Sequence, residues 1–470
     1  MAQKRRQSDV ITPDRKRRAQ RLQTAAEKRR RQLNQPIAAA LSCASWFPRH
    51  EAFTESDHPD HPKRLNACLC GITGRGLWLG TLTVADRLAT DEELYLAHQR
   101  AHVSGLKRAE KAAQPEEEEE DTERNLGSVI WLPRAGHLAK IASADFPRVR
   151  GTKSDTFVTA TSLEAARASV GGLLELVDEC LLRTKVPGFA LCRPPGHHAG
   201  ISSSTGFCLV NNVAIAARYA QRTYPDLINR VMIFDWDVHH GQGTQEIFWK
   251  DPNVLVVSAH LFAKGFYPNS GTAEEVGEDE GRGYNINIAL PVGYTDECLM
   301  RVFDDVLLPA ARRFRPDLIL VSAGFDAMVD DPLGEAQCTA AGFGQLTRRL
   351  WNLAAELAKG RLIFALEGGY HVGCLAQGTA AVLKSLLERT DEKEGPKLAK
   401  APEDSIQAIG PQGPLPESIQ AIWATRRAHQ DLSMQLGNGA VMPFRKRSRE
   451  QSEQSEQSEQ TPKLLEADGV

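Results

Sequence analysis

The sequence predicts an α/β fold of three layers, in which helices cover both faces of a mostly parallel central sheet. From residue 157 to residue 387, short apolar runs alternate with stretches of helical periodicity, and this alternation is typical of parallel sheets. Several of the apolar runs end in Asp, His or Tyr side chains. Ligands of such folds bind beyond the carboxyl ends of the strands, so the same pattern predicts a functional site there.

The central predicted strand spans residues 231–234, an apolar run that is too short for a buried helix. Asp235, Asp237 and His239 follow it at alternate positions, and alternate side chains of an extended chain point to the same side. Two carboxylates and an imidazole on one face suit a divalent metal ion. The competing interpretation is that these side chains cap a neighbouring helix or line a solvated turn.

The other predicted elements follow from the same two periodicities. Further strands are expected at residues 188–192, 253–258, 284–290, 317–322 and 361–366, with 284–290 at the edge of the sheet. Helices are expected near residue 64 and at residues 90–103, 162–182, 212–221, 297–314, 340–358 and 375–387.

Four of the predicted strands end in side chains that can carry chemistry. Besides the strand before Asp235, these are the strands that precede the His197-His198 pair, Asp326 and Tyr370. Because parallel strands share one carboxyl edge, these residues are expected to meet there, which favours a metal site over isolated caps.

The predicted cluster has the parts for hydrolysis of an amide. Two Asp and one His suit Zn²⁺ or Fe²⁺, and three protein ligands leave a coordination position for water. A metal there lowers the pKa of that water towards about 7 and polarises a carbonyl group. His197 and His198 are candidate proton carriers, with Asp235 and Gln242 available to orient them. The Tyr370 hydroxyl is a candidate stabiliser of an oxyanion.

The composition limits the class of protein. The chain has 470 residues, and 41% of them are hydrophobic, which is ample for a large core. The net charge of −3 predicts no general affinity for nucleic acid, and no apolar run reaches the length that crosses a membrane. Nine Cys without a CxxC pair indicate reduced, buried thiols in an intracellular chain.

Residues 1–45 are predicted to be a basic, disordered tail. Residues 1–35 carry twelve Lys or Arg against three Asp or Glu, and nine residues separate RKRR at 15–18 from KRRR at 28–31. This spacing resembles a bipartite nuclear localisation signal, which predicts a nuclear or nucleocytoplasmic protein. The alternatives are an organelle transit peptide and a solvated tail that contacts phosphates.

Two further segments are predicted to lack regular structure. Residues 112–125 contain five consecutive Glu, whose mutual repulsion predicts a disordered acidic insertion, with an acidic patch for basic partners as the alternative. Residues 391–470 are rich in Pro, Gln and charge, and their SEQSEQSEQ repeat predicts a low-complexity tail. The basic cluster at 445–449 is interpreted either as a second import signal or as solvated charge.

Residues 46–390 are predicted to be a single catalytic domain, and its motifs resemble those of the histone deacetylase family, closest to the class II enzymes. In chain order the motifs are HPDHPKRL at 58–65, RPPGHHA at 193–199, GFCLVNN at 206–212, DWDVHHGQGTQ at 235–245, SAGFDA at 322–327 and LEGGY at 366–370. The resemblance spans about residues 50–388, and the tails and the acidic insertion have no counterpart in it. It implies an arginase/deacetylase-like form of the three-layer fold.

The resemblance also implies a catalytic role for the motif residues. The ligands of one Zn²⁺ ion would be Asp237, His239 and Asp326. His197 would pair with Asp235, and His198 would be the general base. Tyr370 would polarise the acyl carbonyl. A structural K⁺ ion would be surrounded, partly through carbonyl oxygens, by Asp235, Asp237, His239, Ser258 and Ala259.

Substrate-binding residues are implied in the same way. Gly206 and Phe207, together with Tyr267, would line a narrow tunnel for an acyl-lysine stem, and Tyr267 departs from the Phe that is usual there. Asp155 at the rim would accept hydrogen bonds from the substrate backbone. Leu333 stands where polyamine deacetylases carry a Glu, which favours acetyl-lysine as the substrate.

Two motif positions bear on catalytic competence. Tyr370 is present where the weakly active class IIa enzymes carry His, so the resemblance implies an active enzyme. Gln242 stands where class II enzymes usually have Asn. Its longer arm leaves the placement of His198 open.

The sequence therefore predicts a zinc-dependent deacetylase that acts on N6-acetyl-lysine in histones or other proteins, in the nucleus and within corepressor-type protein complexes. One alternative is a deacetylase of small acetylated amines such as acetylpolyamines, and another is a non-catalytic scaffold that binds acyl-lysine. Arginase-like manganese chemistry is disfavoured because the chain offers a single three-ligand set. Neither sequence-specific nucleic-acid binding nor membrane insertion is expected.

Overall fold

The computed structural model describes residues 39–43, 58–84, 87–114, 130–131, 155–183, 186–388 and 417–435. Within these ranges a central sheet of eight strands lies between two layers of helices. Every neighbouring pair of strands in this sheet is parallel. The predicted three-layer α/β fold with a mostly parallel sheet is therefore confirmed.

The strands of the described ranges form the large sheet and one small antiparallel pair. Their bounds in chain order are β1 (Ala39–Cys43), β2 (Thr81–Thr83), β3 (Ile130–Trp131), β4 (Phe157–Val158), β5 (Gly188–Leu191), β6 (Val231–Asp235), β7 (Val254–Leu261), β8 (Asn285–Leu290), β9 (Leu318–Ala323) and β10 (Leu362–Leu366). β3 pairs with β4, and the large sheet has the order β2-β1-β5-β10-β9-β6-β7-β8. The four central strands of this order, β5, β10, β9 and β6, precede the four predicted groups of site residues.

The α-helices of the described ranges connect or flank these strands. Their bounds are α1 (Lys63–Thr73), α2 (Asp91–Leu94), α3 (Arg100–Ala112), α4 (Ser162–Asp178), α5 (Asn212–Thr223), α6 (Gln242–Phe248), α7 (Asp296–Val302), α8 (Leu308–Phe314), α9 (Ala340–Leu357), α10 (Val372–Glu388) and α11 (Glu417–Gln435). A π-helical segment at Phe303–Leu307 joins α7 to α8, so the two form the long helix predicted at 297–314. None of the described helices is long and apolar enough to cross a membrane.

The alternation of side chains along the strands separates the core into two apolar layers. In β6, Met232 and Phe234 belong to one buried cluster, whereas Val231 and Ile233 belong to the other. Such alternation is expected because successive side chains of a strand point to opposite faces. Helices α9 and α10 cover the first face, and helices α4 and α5 cover the second.

One predicted helix is wrong in extent. The stretch predicted as a helix at 90–103 contains the short helix α2 and the beginning of α3. Thr90 starts α2 with a capping box to Glu93. The chain then leaves the helix because His98 and Gln99 bond to the backbone of the loop at Gly200 and Ile201 instead. Tertiary contacts therefore override local periodicity here.

Two parts of the predicted tails carry secondary structure, which corrects the predicted extents of the tails. Strand β1 falls within residues 1–45, and it lies between β2 and β5 in the large sheet. Helix α11 falls within residues 391–470, and it packs against β8 at the edge of the sheet. The remainder of the C-terminal tail, residues 115–125 of the acidic insertion and the predicted nuclear localisation signal lie outside the described residues.

Candidate metal centre and active site

The turn after β6 is held by its own carboxylates. The backbone N–H of Asp237 donates to Asp235 Oδ1 at 3.0 Å, and the backbone N–H of His239 donates to Asp237 Oδ1 at 2.9 Å. These bonds fix the alternation of side chains that the sequence predicted. Asp237 and His239 consequently project together beyond the carboxyl end of the sheet, where parallel folds bind ligands.

The turn after β9 brings a third residue to this pair. His239 Nδ1 lies 3.2 Å from Asp237 Oδ1 and 3.1 Å from Asp326 Oδ2. One candidate ligand atom from each of the three residues lies within 4.8 Å of the others, and all three side chains are buried. The structure thus brings together the three residues that the sequence predicted as metal ligands.

Two glycines make room for this cluster. A Cβ atom on Gly324 would lie 2.1 Å from Asp237 Oδ2, and a Cβ on Gly368 would lie 2.0 Å from Asp326 Oδ2. The N–H of Gly368 also donates to Asp237 Oδ2 at 2.7 Å. Any larger residue at either position would displace a carboxylate of the cluster.

The charge of the cluster fits a cation. The ion pairs found for Asp237 and Asp326 among the described residues are with histidines. Burial raises the pKa of Asp326 to about 7, and the neighbouring charge of Asp237 adds to this effect. Two buried carboxylates this close need positive charge between them. Two oxygens and one imidazole nitrogen are donors that suit Zn²⁺.

A histidine pair stands beside the cluster. Its ring centroids are 3.9 Å apart, and the two rings have different partners. His197 Nδ1 lies 3.0 Å from Asp235 Oδ2, and His198 Nδ1 lies 2.6 Å from Gln242 Oε1. His197 Nε2 also lies 3.8 Å from Asp237 Oδ1, which links the pair to the cluster.

The surroundings of the two histidines separate their pKa values. Burial lowers the pKa of His197, but the charges of Asp237 and Asp235 outweigh it and raise the pKa well above the usual value. Burial lowers the pKa of His198 well below the usual value, and the charges of His197 and His239 add to this effect. The two neighbouring histidines therefore have pKa values shifted in opposite directions.

Asp331 holds the backbone of Tyr370, and Arg64 lies against its ring. Its N–H donates to Asp331 Oδ2 at 2.6 Å, and the guanidinium carbon of Arg64 lies 5.0 Å from its ring centroid. Burial raises the pKa of Tyr370 well above the usual value, although the charge of Arg64 opposes this. The phenol therefore remains protonated and able to donate a hydrogen bond.

Arg64 is a supporting residue that the sequence prediction did not assign. Its side chain is buried, and its Nε donates to Gly369 O at 2.7 Å while Nη1 donates to Asp60 Oδ1 at 2.7 Å. A third bond runs from Nη2 to Glu367 O. Arg193 Nε also bonds to Asp60 Oδ1, at 3.1 Å. The motif at 58–65 thus anchors the turn that carries Tyr370.

Glu367 is a second supporting residue that the sequence prediction did not assign. Its Oε2 accepts from the N–H of Gly196 at 2.6 Å and from the N–H of His197 at 3.1 Å, and Oε1 accepts from Ser322 Oγ at 3.1 Å. Burial raises the pKa of Glu367 to about 7, against the opposing charge of His197. One side chain directly after β10 therefore ties the turn after β5 to strand β9.

Aromatic rings border the site. Tyr267 meets the ring of His198 edge to face at 5.0 Å, and Phe207 meets the ring of Tyr370 at 5.6 Å. Phe266, which the sequence prediction did not assign, stacks on His239 at 5.1 Å. Phe207 has a φ of 66°, a conformation that few non-glycine residues adopt. The signal for Phe266 was its position directly before Tyr267.

The remaining predicted residues lie around this centre. Asp155 Oδ1 accepts from the N–H of Gly206 at 3.2 Å, so this carboxylate braces the loop before Phe207. The N–H of Leu333 donates to Asp331 Oδ1 at 3.0 Å, which places Leu333 next to the turn of Tyr370. Ser258 and Ala259 lie in β7, and Ser258 is in register with Asp235 of β6. The predicted potassium ligands thus lie in β6, in the turn that follows it, and in the neighbouring strand β7.

A buried cluster of two Asp and one His beyond a parallel sheet, beside a histidine pair and a tyrosine, has the composition of a metal-dependent hydrolase site. A family model for the histone deacetylase domain matches residues 58–386. The chain belongs to the histone deacetylase family, whose members are hydrolases that act on amides. The class predicted from the sequence is confirmed.

Individual relatives give the same result. The chain is 36% identical over 361 residues to Histone deacetylase 10, chloroplastic, of Oryza sativa subsp. japonica, which covers 74% of this chain and 73% of that protein. It is 34% identical over 371 residues to Histone deacetylase 5 of Arabidopsis thaliana, with 77% of this chain aligned. The chain spans half the length of that second relative.

A solved structure has the same fold. The crystal structure of the HDA15 HD domain matches with a TM-score of 0.66 and 31% sequence identity. The match covers 85% of this chain and 96% of that chain. The α/β fold predicted from the sequence is therefore shared with a solved relative.

Proposed function

We propose that this protein is a zinc-dependent deacetylase that hydrolyses the acetyl amide of N6-acetyl-lysine in histones or other proteins. The observation that carries the proposal is the histidine pair beside the cluster of Asp237, His239 and Asp326, in which His197 Nδ1 lies 3.0 Å from Asp235 Oδ2 and His198 Nδ1 lies 2.6 Å from Gln242 Oε1. A site that only binds an acyl group has no need of two proton carriers that are each held by a partner of their own.

The cluster would hold one Zn²⁺ ion through Asp237, His239 and Asp326. When bound, zinc supplies Lewis-acid chemistry: it polarises the amide carbonyl and lowers the pKa of a water molecule. A structural K⁺ ion is proposed on the other side of the β6 turn, at Asp235, Asp237, His239, Ser258 and Ala259. The pairing of Asp235 with Ser258 across β6 and β7 supports this position.

The protein residues divide the proton transfers between them. His198 is neutral and hydrogen-bonded through Nδ1, so its Nε2 can take a proton from the attacking water. His197 carries positive charge, which Asp235 and Asp237 stabilise, and it balances negative charge that develops nearby. Tyr370 remains protonated and donates a hydrogen bond to the oxygen of the acyl carbonyl.

The surroundings of the site favour an acyl-lysine stem over a polycation. Phe207 and Tyr267 present aromatic rings beside the site, and Leu333 contributes an aliphatic side chain near the turn of Tyr370. Asp155, next to Gly206, is proposed to accept hydrogen bonds from the substrate backbone. Action on acetylpolyamines remains the alternative, and it would require an acidic group to attract the second amine.

Nuclear action on acetylated proteins is proposed from the two basic blocks of residues 1–35. Participation in corepressor-type complexes is proposed from the resemblance to the family. Import into an organelle is the alternative. The printed name of the rice relative, which includes the word chloroplastic, supports that alternative.

The test is turnover of the zinc-loaded protein on an acetyl-lysine peptide and on an acetylated polyamine, measured side by side. We expect the peptide to be preferred, and we expect Tyr370→Phe to reduce its turnover by about 10²-fold or more without loss of zinc. Tyr284→Phe is the matched control, because Tyr284 directly precedes β8, at the opposite end of the strands from the site. Preference for the polyamine would refute the proposed substrate class, and no turnover of either compound would favour a binding scaffold.

A further inference from the structure

The loop of residues 262–276, called the wall loop, follows β7 and carries two aromatic rings that border the cluster. Phe266 stacks on His239 with 7° between the ring planes, and Tyr267 meets the same ring edge to face at 6.2 Å. All residues of this loop lie in the described ranges, and they form neither helix nor strand. Contacts with other parts of the fold must therefore hold the two rings in place.

Glu275 folds the end of the wall loop and ties it to helix α6. Its Oε1 accepts from the backbone N–H of Gly271 at 2.7 Å and from that of Thr272 at 2.8 Å. Its Oε2 accepts from Gln245 Nε2 at 2.6 Å. Gln245 belongs to α6, which follows the turn of His239. One carboxylate therefore joins the wall loop to the element that comes directly after the metal-site turn.

The amide of Gln245 is the centre of this arrangement. Its Oε1 accepts from the Nδ2 groups of Asn285 and Asn287 at 2.8 Å each, and it lies 3.1 Å from His240 Nε2. An amide oxygen can only accept a hydrogen bond, so His240 Nε2 must donate. The amide can satisfy all of its partners in one orientation alone, with its NH₂ group towards Glu275 and its oxygen towards the three donors.

Two buried histidines hold the residues that Glu275 folds. His240 Nδ1 lies 2.9 Å from Ser270 Oγ, and His260 Nε2 lies 2.9 Å from the carbonyl oxygen of Gly271. Gly271 has a φ of 96°, and a Cβ on it would lie 2.4 Å from His260 Nε2 and 2.6 Å from His240 Cγ. The backbone of the wall loop thus passes directly against both rings.

We propose that Gln245 and Glu275 form a clamp that holds the wall loop, and that Gln245 is thereby a positioning residue for the acyl-lysine stem. The role in substrate binding rests on the proposed function, whereas the clamp itself does not. His239 serves the cluster, and the adjacent His240 serves the clamp.

The burial of the clamp makes each of its bonds matter. The side chains around the Gln245 amide lie in residues that are at most 3% exposed, namely His240, Asn285 and Asn287. A buried donor or acceptor that loses its partner costs more free energy than the bond itself contributes. A change that leaves two like groups facing each other here should therefore release the wall loop.

The clamp needs one amide and one carboxylate, and this requirement provides a test. Glu275→Gln places two NH₂ groups face to face, because turning either amide over sets it against other N–H donors. Gln245→Glu places two carboxylates face to face. The exchange of both, Gln245→Glu with Glu275→Gln, restores every hydrogen bond with the direction of one bond reversed, and it leaves the net charge unchanged.

The first experiment measures hydrogen–deuterium exchange of residues 262–276 in the full-length protein by mass spectrometry. We expect each single variant to raise the exchange rate of this segment about tenfold, and the double variant to return it to within about twofold of wild type. Glu274→Gln is the matched control, because it makes the same chemical change at the exposed neighbouring residue. Unchanged exchange in both single variants, or an equal effect of Glu274→Gln, would overturn the inference.

The second experiment separates positioning of the substrate from catalysis. We expect each single variant to raise KM for an acetyl-lysine peptide about tenfold while kcat stays within about twofold, because other bonds hold the cluster and the histidine pair. The double variant should recover the KM of the wild type. A loss of kcat at unchanged KM, or effects that simply multiply in the double variant, would contradict the positioning role.

The double variant also decides the case in which a single variant does not fold. Recovery of folding in the double variant would support the clamp, and a double variant that also fails to fold would overturn it. Failure of the wild type to hydrolyse acyl-lysine would refute the proposed function alone, because the exchange measurement requires no substrate.

Discussion

At the scale of single residues, Arg64 links the motif at 58–65 to the turn that carries Tyr370. It is buried, it pairs with Asp60, and it bonds to two carbonyl oxygens of the β10 turn. Arg64→Ala leaves the carboxylate of Asp60 with less positive charge and frees two buried carbonyls. We expect the free energy of unfolding to fall by about 3 kcal/mol in urea titrations.

The matched control for Arg64 is Arg312→Ala. Arg312 also pairs with a carboxylate, that of Glu356, but both side chains are more than a third exposed. An exposed pair contributes little, so we expect a change below about 1 kcal/mol. Equal effects of the two substitutions would contradict the role assigned to Arg64.

A single charge introduced at Leu333 would test the choice of substrate. Its backbone N–H donates to Asp331, which also accepts from the N–H of Tyr370, so Leu333 lies beside the turn that carries Tyr370. Leu333→Glu would place a carboxylate where a second amine of a polyamine could pair with it. We expect the kcat/KM for an acetylpolyamine, relative to that for an acetyl-lysine peptide, to rise about tenfold, because one favourable ion pair is gained. Leu333→Gln is the uncharged control, and an equal rise in it would contradict the electrostatic explanation.

The sequence predicted the residues of the site that follow strands directly. Asp237 and His239 could be grouped because strand alternation alone places them on one side. Arg64 could not be assigned, because its partner carbonyl at Gly369 is 305 positions away in the chain. Glu367 was part of a recognised motif, but its bonds to Gly196 and His197 depend on the order of strands in the sheet.

At the scale of secondary-structure elements, helix α11 protects the edge of the sheet at β8. Thr425 Oγ1 donates to the carbonyl oxygen of Asn287 in β8 at 2.7 Å, and Ile422 is buried in the core cluster. An uncovered strand edge invites pairing with other chains. We expect a chain ending at residue 390 to melt about 5 °C lower than one ending at residue 436 and to aggregate on heating. Scanning calorimetry with light scattering would measure both effects.

A finer variant controls for the removal of a whole segment. Thr425→Val in the full chain removes one hydroxyl and leaves α11 in place, so we expect a smaller fall in melting temperature. Identical melting and scattering for the chains ending at 390 and 436 would show that α11 does not protect β8.

Long periodic elements were predictable, whereas short or isolated ones were not. Strands β6, β9 and β10 read as apolar runs because both of their faces are buried. Helix α11 was missed because it stands among Pro- and Gln-rich residues and its apolar face is defined only by contact with β8. Strand β1 was missed because it is a short apolar run that follows a strongly basic segment, and the whole segment was therefore predicted to be a tail.

The basic N-terminus is best tested on the whole molecule. Residues 1–35 carry two blocks of four basic residues, whereas the net charge of the whole chain is −3. We expect removal of these residues to move a fluorescently tagged protein from the nucleus to the cytoplasm. Fusion of residues 1–35 to an unrelated reporter should send the reporter to the nucleus, and its arrival in a plastid or mitochondrion would contradict nuclear import.

The order of the four central strands has a consequence for how the protein is made. β5, β6, β9 and β10 are neighbours in space but span residues 188–366, and β10 inserts between β5 and β9. A chain that has not yet been synthesised to β9 lacks Asp326, and one without β10 lacks Tyr370. Sites built from such distant segments form late in folding, because the entropy cost of closing long loops comes before the long-range contacts that offset it. The proposed metal site of a nascent chain would therefore reach its full affinity only once the sheet is nearly complete, and metal uptake at this site would mark the completion of folding.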